Sequence, residues 1–242
     1  MIADLQRLWQ EAFGDSNATV EAFFATGFSP DRHHCIVENG IPVSALYWFD
    51  CQLDGQKLAY IYAVATLKSH RGKGLAHKLM EQTHEILKNK GYAGAILVPA
   101  NGLFPFYEQL GYRTATTIDK FTCQATKAPA PLREISVQEY ARLRKALLPA
   151  GGVIQDGVTL NYLNTYCNLY AGENFVLAAA ADGQVLLVQE FLGDTALAGQ
   201  ILSALGMAKG HFRAPGTDRN FAMYLPLTPN CPQPGYFGLA LD

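Results

Sequence analysis

The chain has 242 residues, of which 49% are hydrophobic and 17% charged, so it can build the core of one large domain or of two ordinary ones. Its formal net charge is −2 and it has no polybasic block, which argues against a nucleic-acid partner held by a broad basic surface. No apolar run is long enough to span a bilayer, and the N-terminus lacks the cationic start and apolar centre of a signal peptide.

The first half predicts two helices, an antiparallel meander and a strand–helix–strand unit. Helices are predicted at residues 2–13, 16–24, 74–90 and 103–110, and strands at 34–38, 41–50, 58–66, 95–98 and 112–124. Asn39-Gly40 and Asp54-Gly55 suit the two tight turns of the meander, because these residues tolerate positive φ. A strand, a helix and a strand in series favour parallel pairing, so we expect an α/β domain with a mixed sheet.

The second half repeats this order of elements after the proline-containing stretch 127–131. Helices are predicted from the capping box at Ser136 to residue 148, at 160–170 and at 195–205, and strands at 175–181, 184–192, 211–226 and 235–241. The echo is topological, with little residue identity. It predicts a diverged tandem repeat: a first domain at 1–126, a linker at 127–134 and a second domain at 135–242.

Cysteines and histidines predict neither disulfides nor a metal site. The five cysteines form no C-x-x-C pair, so we expect reduced thiols in a cytoplasmic protein. His77 and His84 share one face of a predicted helix, but no third ligand stands at metal-binding spacing.

A glycine-rich stretch at the start of the third helix predicts an anion site. A helix N-terminus has free amides and partial positive charge, and Gly72 and Gly74 allow an anion to approach the backbone closely. Arg71 and Lys73 add positive charge. A plain glycine-rich turn with solvated cations is the alternative explanation. A Walker loop does not fit, because Lys73 is followed by Gly74, and a dinucleotide fingerprint needs glycine where His77 stands.

Two motifs in this half resemble those of the GCN5-related N-acetyltransferases (GNAT). The run from Val64 to Ala76 resembles motif A, whose signature is Gln/Arg-x-x-Gly-x-Gly/Ala. Arg71, Gly74 and Ala76 occupy the signature positions. The run from Phe106 to Tyr112 resembles the family's Phe-Tyr-x-x-x-Gly-Phe/Tyr segment. The resemblance covers about residues 1–125 and implies a GNAT-like acyl-CoA N-acyltransferase fold.

The resemblance also implies acetyl-CoA as cofactor and assigns residues to it. The strand backbone at Val64, Ala65 and Thr66 would contact the pantetheine arm and the acetyl carbonyl. The loop residues Arg71, Gly72, Lys73, Gly74, Leu75 and Ala76 would hold the pyrophosphate. Asn101 and Phe106 are further candidate contacts, although the family often has Asn where this chain has Ala100. Tyr107 would protonate the departing thiolate, and a core aromatic is the alternative for that position.

The function that the resemblance implies is transfer of acetyl from acetyl-CoA to a primary amine by direct attack on the thioester. The alternative is a non-catalytic acyl-CoA-binding or sensing protein on the same fold. No general base is apparent from the sequence: Glu38, Asp50, Tyr60 and Tyr62 are all expected to be structural or solvated. The acceptor, a small-molecule or peptide amine, stays open.

The second half lacks the glycine loop. The stretch 193–199 has no Arg or Lys, and Asp194 would repel a phosphate. A GNAT-like second half would therefore have lost cofactor binding, as in tandem acetyltransferases of the enhanced-intracellular-survival type. In that type the C-terminal carboxylate reaches the active site, and here it would belong to Asp242.

Overall fold

The computed structural model describes residues 1–155 and 157–241, so the expectation for Asp242 lies outside the described residues. The helices are α1 (Ile2–Phe13), α2 (Asn17–Thr26), α3 (Leu75–Asn89), α4 (Phe104–Gln109), α5 (Val137–Leu147), α6 (Gly157–Leu163) and α7 (Ala198–Ala204). The strands are β1 (His33–Glu38), β2 (Ile41–Leu53), β3 (Gln56–Thr66), β4 (Gly94–Leu97), β5 (Arg113–Thr114), β6 (Thr117–Gln124), β7 (Arg133–Glu134), β8 (Ile154–Gln155), β9 (Asn168–Ala171), β10 (Val176–Asp182), β11 (Val185–Leu192), β12 (Lys209–Pro215), β13 (Arg219–Asn220) and β14 (Met223–Pro226). No helix in the described ranges has the length and apolar character that a membrane span requires.

The chain forms two compact units and passes between them three times. The first unit contains residues 1–113 and 223–232. The second contains residues 114–222 and the described residues after 232. Each unit has its own sheet and its own buried cluster of apolar side chains.

The first unit is built on a mixed sheet with β1, β2, β3, β4 and β14 side by side. The first three strands form the predicted antiparallel meander, and positive φ at Asn39, Gly40, Asp54 and Gly55 confirms the two tight turns. Helix α3 connects β3 to β4, and these two strands are parallel, as the sequence predicts.

Alternate residues of β2 supply the two apolar faces of this sheet. Trp48 packs on the side of α3, with Leu79 and Leu87 of that helix in the same cluster. Tyr47 points to the opposite face, where its ring packs against Trp9 of α1 and Phe23 of α2. The sheet is therefore covered on both faces, which explains the nearly continuous burial along β2.

The second unit repeats the order of elements seen in the first. Strands β9, β10 and β11 are antiparallel, α7 follows, and β12 is parallel to β11. This unit contains a buried ion pair: Arg144 Nε and Nη2 donate to Glu190 at 2.6 and 3.0 Å. The hydroxyls of Tyr140 and Tyr236 donate to the same carboxylate at 3.3 and 3.1 Å, so its charge is compensated. That the second unit is a degenerate copy of the first stays a prediction, as does a boundary at residues 127–134.

Two strands pair differently from the sequence prediction. Residues 112–124 were expected to give the last strand of the first half, but β6 pairs with β12 in the second unit. Conversely, β14, which belongs to the predicted strand 211–226, pairs with β4 in the first unit. Hydrophobic alternation predicts that a segment is a strand but does not specify its partner, so this exchange was not visible in the pattern.

Three further elements of the second half differ from the prediction. The predicted helix 160–170 ends at Leu163, because residues from Asn168 onward pair with β10 as β9. The predicted strand 211–226 is interrupted after Pro215, since proline has no N–H for continued pairing. Residues 235–241 contribute only an isolated bridge, between Tyr236 and Gly152.

Candidate functional site

The N-terminus of α3 presents free backbone N–H groups. Its N-cap, Gly74, has φ +73°, and no side chain caps the helix. Among the described residues, none accepts a hydrogen bond from the backbone N–H groups of residues 72–77. Gly72 also has positive φ, and a Cβ added at either glycine would meet no atom within 4 Å. The loop for which the sequence predicts an anion site is thus open, and it stands at the start of a 15-residue helix.

Side chains from neighbouring elements hold this loop in place. The Arg71 Nε atom donates to the carbonyl of Thr66 at 3.2 Å, which closes the loop back onto the end of β3. The Lys68 backbone N–H donates to the Glu11 carboxylate at 2.6 Å and so ties the loop to α1. The loop backbone is therefore oriented before any ligand binds.

Strand β3 leaves part of one edge open beside the loop. Its parallel pairing with β4 covers only Leu58 to Tyr60, although β3 continues to Thr66. In the same stretch Ala63 has φ +50°, and the register with β2 shifts between Ala45 and Tyr47. A bulge of this kind bends a strand, and positive φ in a non-glycine residue is a sign of a functional constraint. The open edge can donate hydrogen bonds to an extended ligand and accept hydrogen bonds from it.

A groove of about 440 Å³ brings the loop and this strand edge together. Of the predicted site residues, those that line it are Val64, Ala65, Thr66, Arg71, Gly72, Gly74, Leu75, Ala76 and Phe106. Lys73 and Asn101 are exposed and do not line the groove. Residues that sequence reasoning missed are Ala12, Phe13, His70, His77 and Leu103. Phe13 and Leu103 come from distant segments and carry no motif, so only the fold reveals them.

The lining of this groove combines cationic and apolar groups. Arg71 is a cation, and none of the described lining residues is acidic. Phe13 and Leu103 are 46% and 44% exposed, so they present apolar surface at the groove. The groove therefore suits a ligand with an anionic end and a long, partly apolar arm.

Tyr107 is not among the residues that line the groove, although its neighbour Phe106 is. Tyr107 is only 7% exposed, in α4, and burial raises its pKa to about 12. Among the described residues, none hydrogen-bonds to its hydroxyl. The hydroxyls of the buried Tyr92, Tyr112 and Tyr140 have partners, whereas the hydroxyl of the buried Tyr47 has none among the described residues either. A spare phenol that stays protonated near neutral pH is a suitable proton donor to a bound ligand.

The acidic residues considered as bases have separate roles. The Asp50 carboxylate lies 3.6 Å from Arg32 and 3.4 Å from Lys57, and it accepts a hydrogen bond from Tyr92, so it is part of a structural network. Glu38 lies 3.5 Å from Nε2 of His70. His77 also lines the groove, and its Nε2 lies 3.4 Å from the Glu81 carboxylate, so each of the two groove imidazoles has a carboxylate beside it.

The corresponding turn of the second unit is closed. Asp194 precedes a 3-10 turn and its carboxylate accepts from the N–H of Ala196 at 2.9 Å. Its carbonyl accepts from the N–H of Leu197 at 3.0 Å. A Cβ at Gly199 would lie 2.9 Å from the carbonyl of Gln124, so this glycine serves close packing. This turn offers no open amide cradle comparable with that of α3.

Comparison with known proteins agrees with this geometry. Residues 2–115 match the family model described as the acetyltransferase (GNAT) domain. This segment contains the glycine loop, the bulged strand and Tyr107.

Solved structures share the fold over nearly the whole chain. A GCN5-related N-acetyltransferase from Kribbella flavida is 19% identical with a TM-score of 0.72, over 93% of this chain and 69% of that chain. One from Anabaena variabilis is 16% identical with a TM-score of 0.73, over 94% and 70%. Eis1 from Mycobacterium abscessus is 12% identical with a TM-score of 0.67, over 94% and 72%. At these identities the structures establish the fold alone. The segment of residues 2–115, just under half of the chain, is similar to the GNAT acetyltransferase domain.

Proposed function

We propose that the protein is an N-acetyltransferase that moves the acetyl group of acetyl-CoA to a primary amine. The observation that carries the proposal is the uncapped start of α3, with free amides at residues 72–77, opening onto the same groove as the unpaired edge of β3. A pyrophosphate and a pantetheine arm are the two parts of coenzyme A that these features suit.

The residues present fit this cofactor. Gly72 and Gly74 leave open space next to the loop amides, where a side chain would block an approaching phosphate. Arg71 at the groove supplies positive charge for the diphosphate. Phe13, Leu103 and Phe106 provide apolar walls for the arm. When bound, acetyl-CoA supplies an acyl group that is activated as a thioester.

The chain's own groups have distinct tasks in this reaction. The loop amides bind and orient the diphosphate, which places the rest of the cofactor along β3. Backbone N–H groups of the bulged segment Ala63–Thr66 hold the acyl carbonyl and stabilise negative charge on its oxygen. Tyr107 holds a proton on its hydroxyl for the departing sulfur. Both ring nitrogens of His70 already have partners, in Glu38 and Ser69, so the proton of the incoming amine passes to solvent water.

A thiol-release assay with acetyl-CoA and a panel of primary amines tests the proposal. The panel contains amino-terminal peptides, polyamines, aminoglycosides and small metabolites, and Tyr107→Phe is the matched variant. We expect thiol release with at least one amine, and a fall in kcat of roughly 10²-fold in the variant because a general acid is removed. Binding of acetyl-CoA without turnover on any amine would favour a non-catalytic acyl-CoA-binding protein.

The pH dependence of the rate provides a second check on Tyr107. Since burial raises its pKa to about 12, the phenol stays protonated throughout the neutral and moderately alkaline range. No loss of rate from its deprotonation is therefore expected below about pH 11. The pKa assigned to Tyr107 would be contradicted if the wild-type rate fell with rising pH well below pH 11 and this fall were absent from Tyr107→Phe.

A further inference from the structure

Tyr112 connects Tyr107 to the helix that carries the anion cradle. Its backbone N–H donates to the Tyr107 carbonyl at 3.1 Å. The two rings meet edge to face, with centroids 5.8 Å apart at an interplanar angle of 72°. At its other end, the Tyr112 hydroxyl shares a hydrogen bond of 2.9 Å with Nε2 of His84, in α3.

This hydrogen bond lies in an otherwise apolar environment. Tyr112 is 1% exposed and His84 7%, and their neighbours in the α3 core include Leu79 and Leu87. Burying an imidazole or a phenol hydroxyl without a partner is costly, whereas a Leu–Phe pair would fill similar space without polar groups. The polar pair therefore adds a directional constraint that apolar packing alone would not give.

The helix that carries Tyr107 needs such a constraint. Helix α4 has only six residues and no side-chain cap at its start, so it has little rigidity of its own. The Tyr107 hydroxyl has no hydrogen bond to another described residue that would fix its direction. Residues of α3, among them Leu79 and Met80, share an apolar cluster with Tyr107, and the contact with Tyr112 adds to this packing a hydrogen-bonded link from α3 to the Tyr107 ring.

We propose that Tyr112 and His84 are positioning residues, which hold the Tyr107 phenol in a fixed direction relative to the anion cradle on α3. This inference rests on the acetyltransferase function proposed above, in which Tyr107 donates a proton to sulfur. A displacement of about 1 Å at a catalytic group can cost roughly 10²-fold in rate. The hydrogen bond between His84 and Tyr112 therefore affects the rate, although neither residue contacts the cofactor.

Full-length variants test this inference through kcat and KM. Tyr112→Phe removes the hydroxyl and keeps the ring, His84→Leu removes the imidazole, and His84→Gln retains a hydrogen-bonding group. We expect the first two to lower kcat roughly tenfold with the KM for acetyl-CoA unchanged, and His84→Gln to stay within about threefold of wild type. Tyr92→Phe is the control: it removes another buried hydroxyl of the first unit and leaves kcat unchanged.

A second readout does not depend on the acceptor. A phenol that donates a hydrogen bond to a bound thiolate lowers the pKa of that thiol. The pKa of the thiol of bound coenzyme A is therefore measured from the thiolate absorbance as a function of pH. We expect Tyr107→Phe to raise this pKa, and Tyr112→Phe and His84→Leu to shift it in the same direction. Wild-type values in His84→Gln and Tyr92→Phe would complete the expected pattern.

The outcomes separate this inference from the proposed function. If Tyr107→Phe has its expected effects while Tyr112→Phe and His84→Leu change neither kcat nor the thiol pKa, the positioning role is overturned and the function stands. If His84→Gln and Tyr92→Phe lose as much kcat as Tyr112→Phe and His84→Leu do, the effect is a general structural one, and this result would also overturn the positioning role. If wild type fails to bind acetyl-CoA, the proposed function fails first, and the inference fails with it.

Discussion

At the scale of single residues, the candidate site depends on polar groups whose partners differ. Tyr112 and His84 hydrogen-bond to each other inside the core, whereas the hydroxyl of Tyr107 has no hydrogen-bond partner among the described residues. The sequence motif indicates Tyr107 and Tyr112 together, because both stand in one segment. It does not indicate His84, since a histidine 28 positions away becomes a partner only when α3 packs beside that segment.

His84 makes the stability of the first unit depend on pH. Burial lowers its pKa from 6.5 to about 4, Lys88 and His77 on its own helix act in the same direction, and Glu85 opposes them. The Tyr112 hydroxyl, from the facing segment, is neutral in this range and hydrogen-bonds to the imidazole. Below pH 6.5 the imidazole of His84 is protonated in the unfolded chain, whereas in the folded chain it stays neutral down to about pH 4. The free energy of unfolding is therefore expected to fall by up to about 3 kcal/mol between these values.

Urea unfolding of wild type and His84→Gln at pH 7 and pH 4.5 measures this contribution. The variant cannot titrate, so its loss of stability on acidification should be smaller than that of wild type. The same loss in both proteins would contradict the assignment of this pH dependence to His84.

At the scale of elements, α3 supplies both the cradle and the frame around it. Its start is uncapped at Gly74, and Gly91 follows its last turn with φ +77°. Both glycines have open space where a Cβ would be added. They differ in that only Gly74 faces the groove.

This pair gives a matched test of the cradle. Gly74→Ala and Gly91→Ala each place a side chain at positive φ, at a similar cost of about 1–2 kcal/mol in stability. Only Gly74→Ala also puts a methyl group beside the loop amides, so we expect it to weaken acetyl-CoA binding roughly tenfold or more. Calorimetric titration measures both affinities. An equal loss of affinity in the two variants would mean that the effect comes from strain in α3 and not from the cradle.

At the scale of the whole molecule, local features were predictable and distant pairings were not. The glycine loop, the tight turns and the parallel step after α3 follow from residues close together in the chain. The bulge at Ala63 could not be predicted, because no glycine or proline marks it. The exchange of β6 and β14 could not be predicted either, because both segments alternate like ordinary strands and their partners lie about a hundred residues away or more.

The exchange predicts that the first 126 residues do not fold alone as the first unit. In the full chain β14 covers the outer edge of β4, and Met223 is fully buried in the α3 core. A fragment of residues 1–126 lacks this strand, so we expect it to show no cooperative thermal unfolding. Addition of a peptide of residues 220–232 should restore part of the transition. Cooperative unfolding of the fragment by itself would mean that β6 takes the place of β14 beside β4.

Calorimetric titration of the full-length chain with acetyl-CoA tests the central claim most directly. The open amides at the start of α3 predict saturable binding, and the closed turn at Asp194 limits it to one equivalent per chain. Because the contact is with a diphosphate, coenzyme A should displace acetyl-CoA and pantetheine should not. The absence of saturable binding would contradict the account, and equally strong binding of pantetheine would show that the loop amides do not hold the diphosphate.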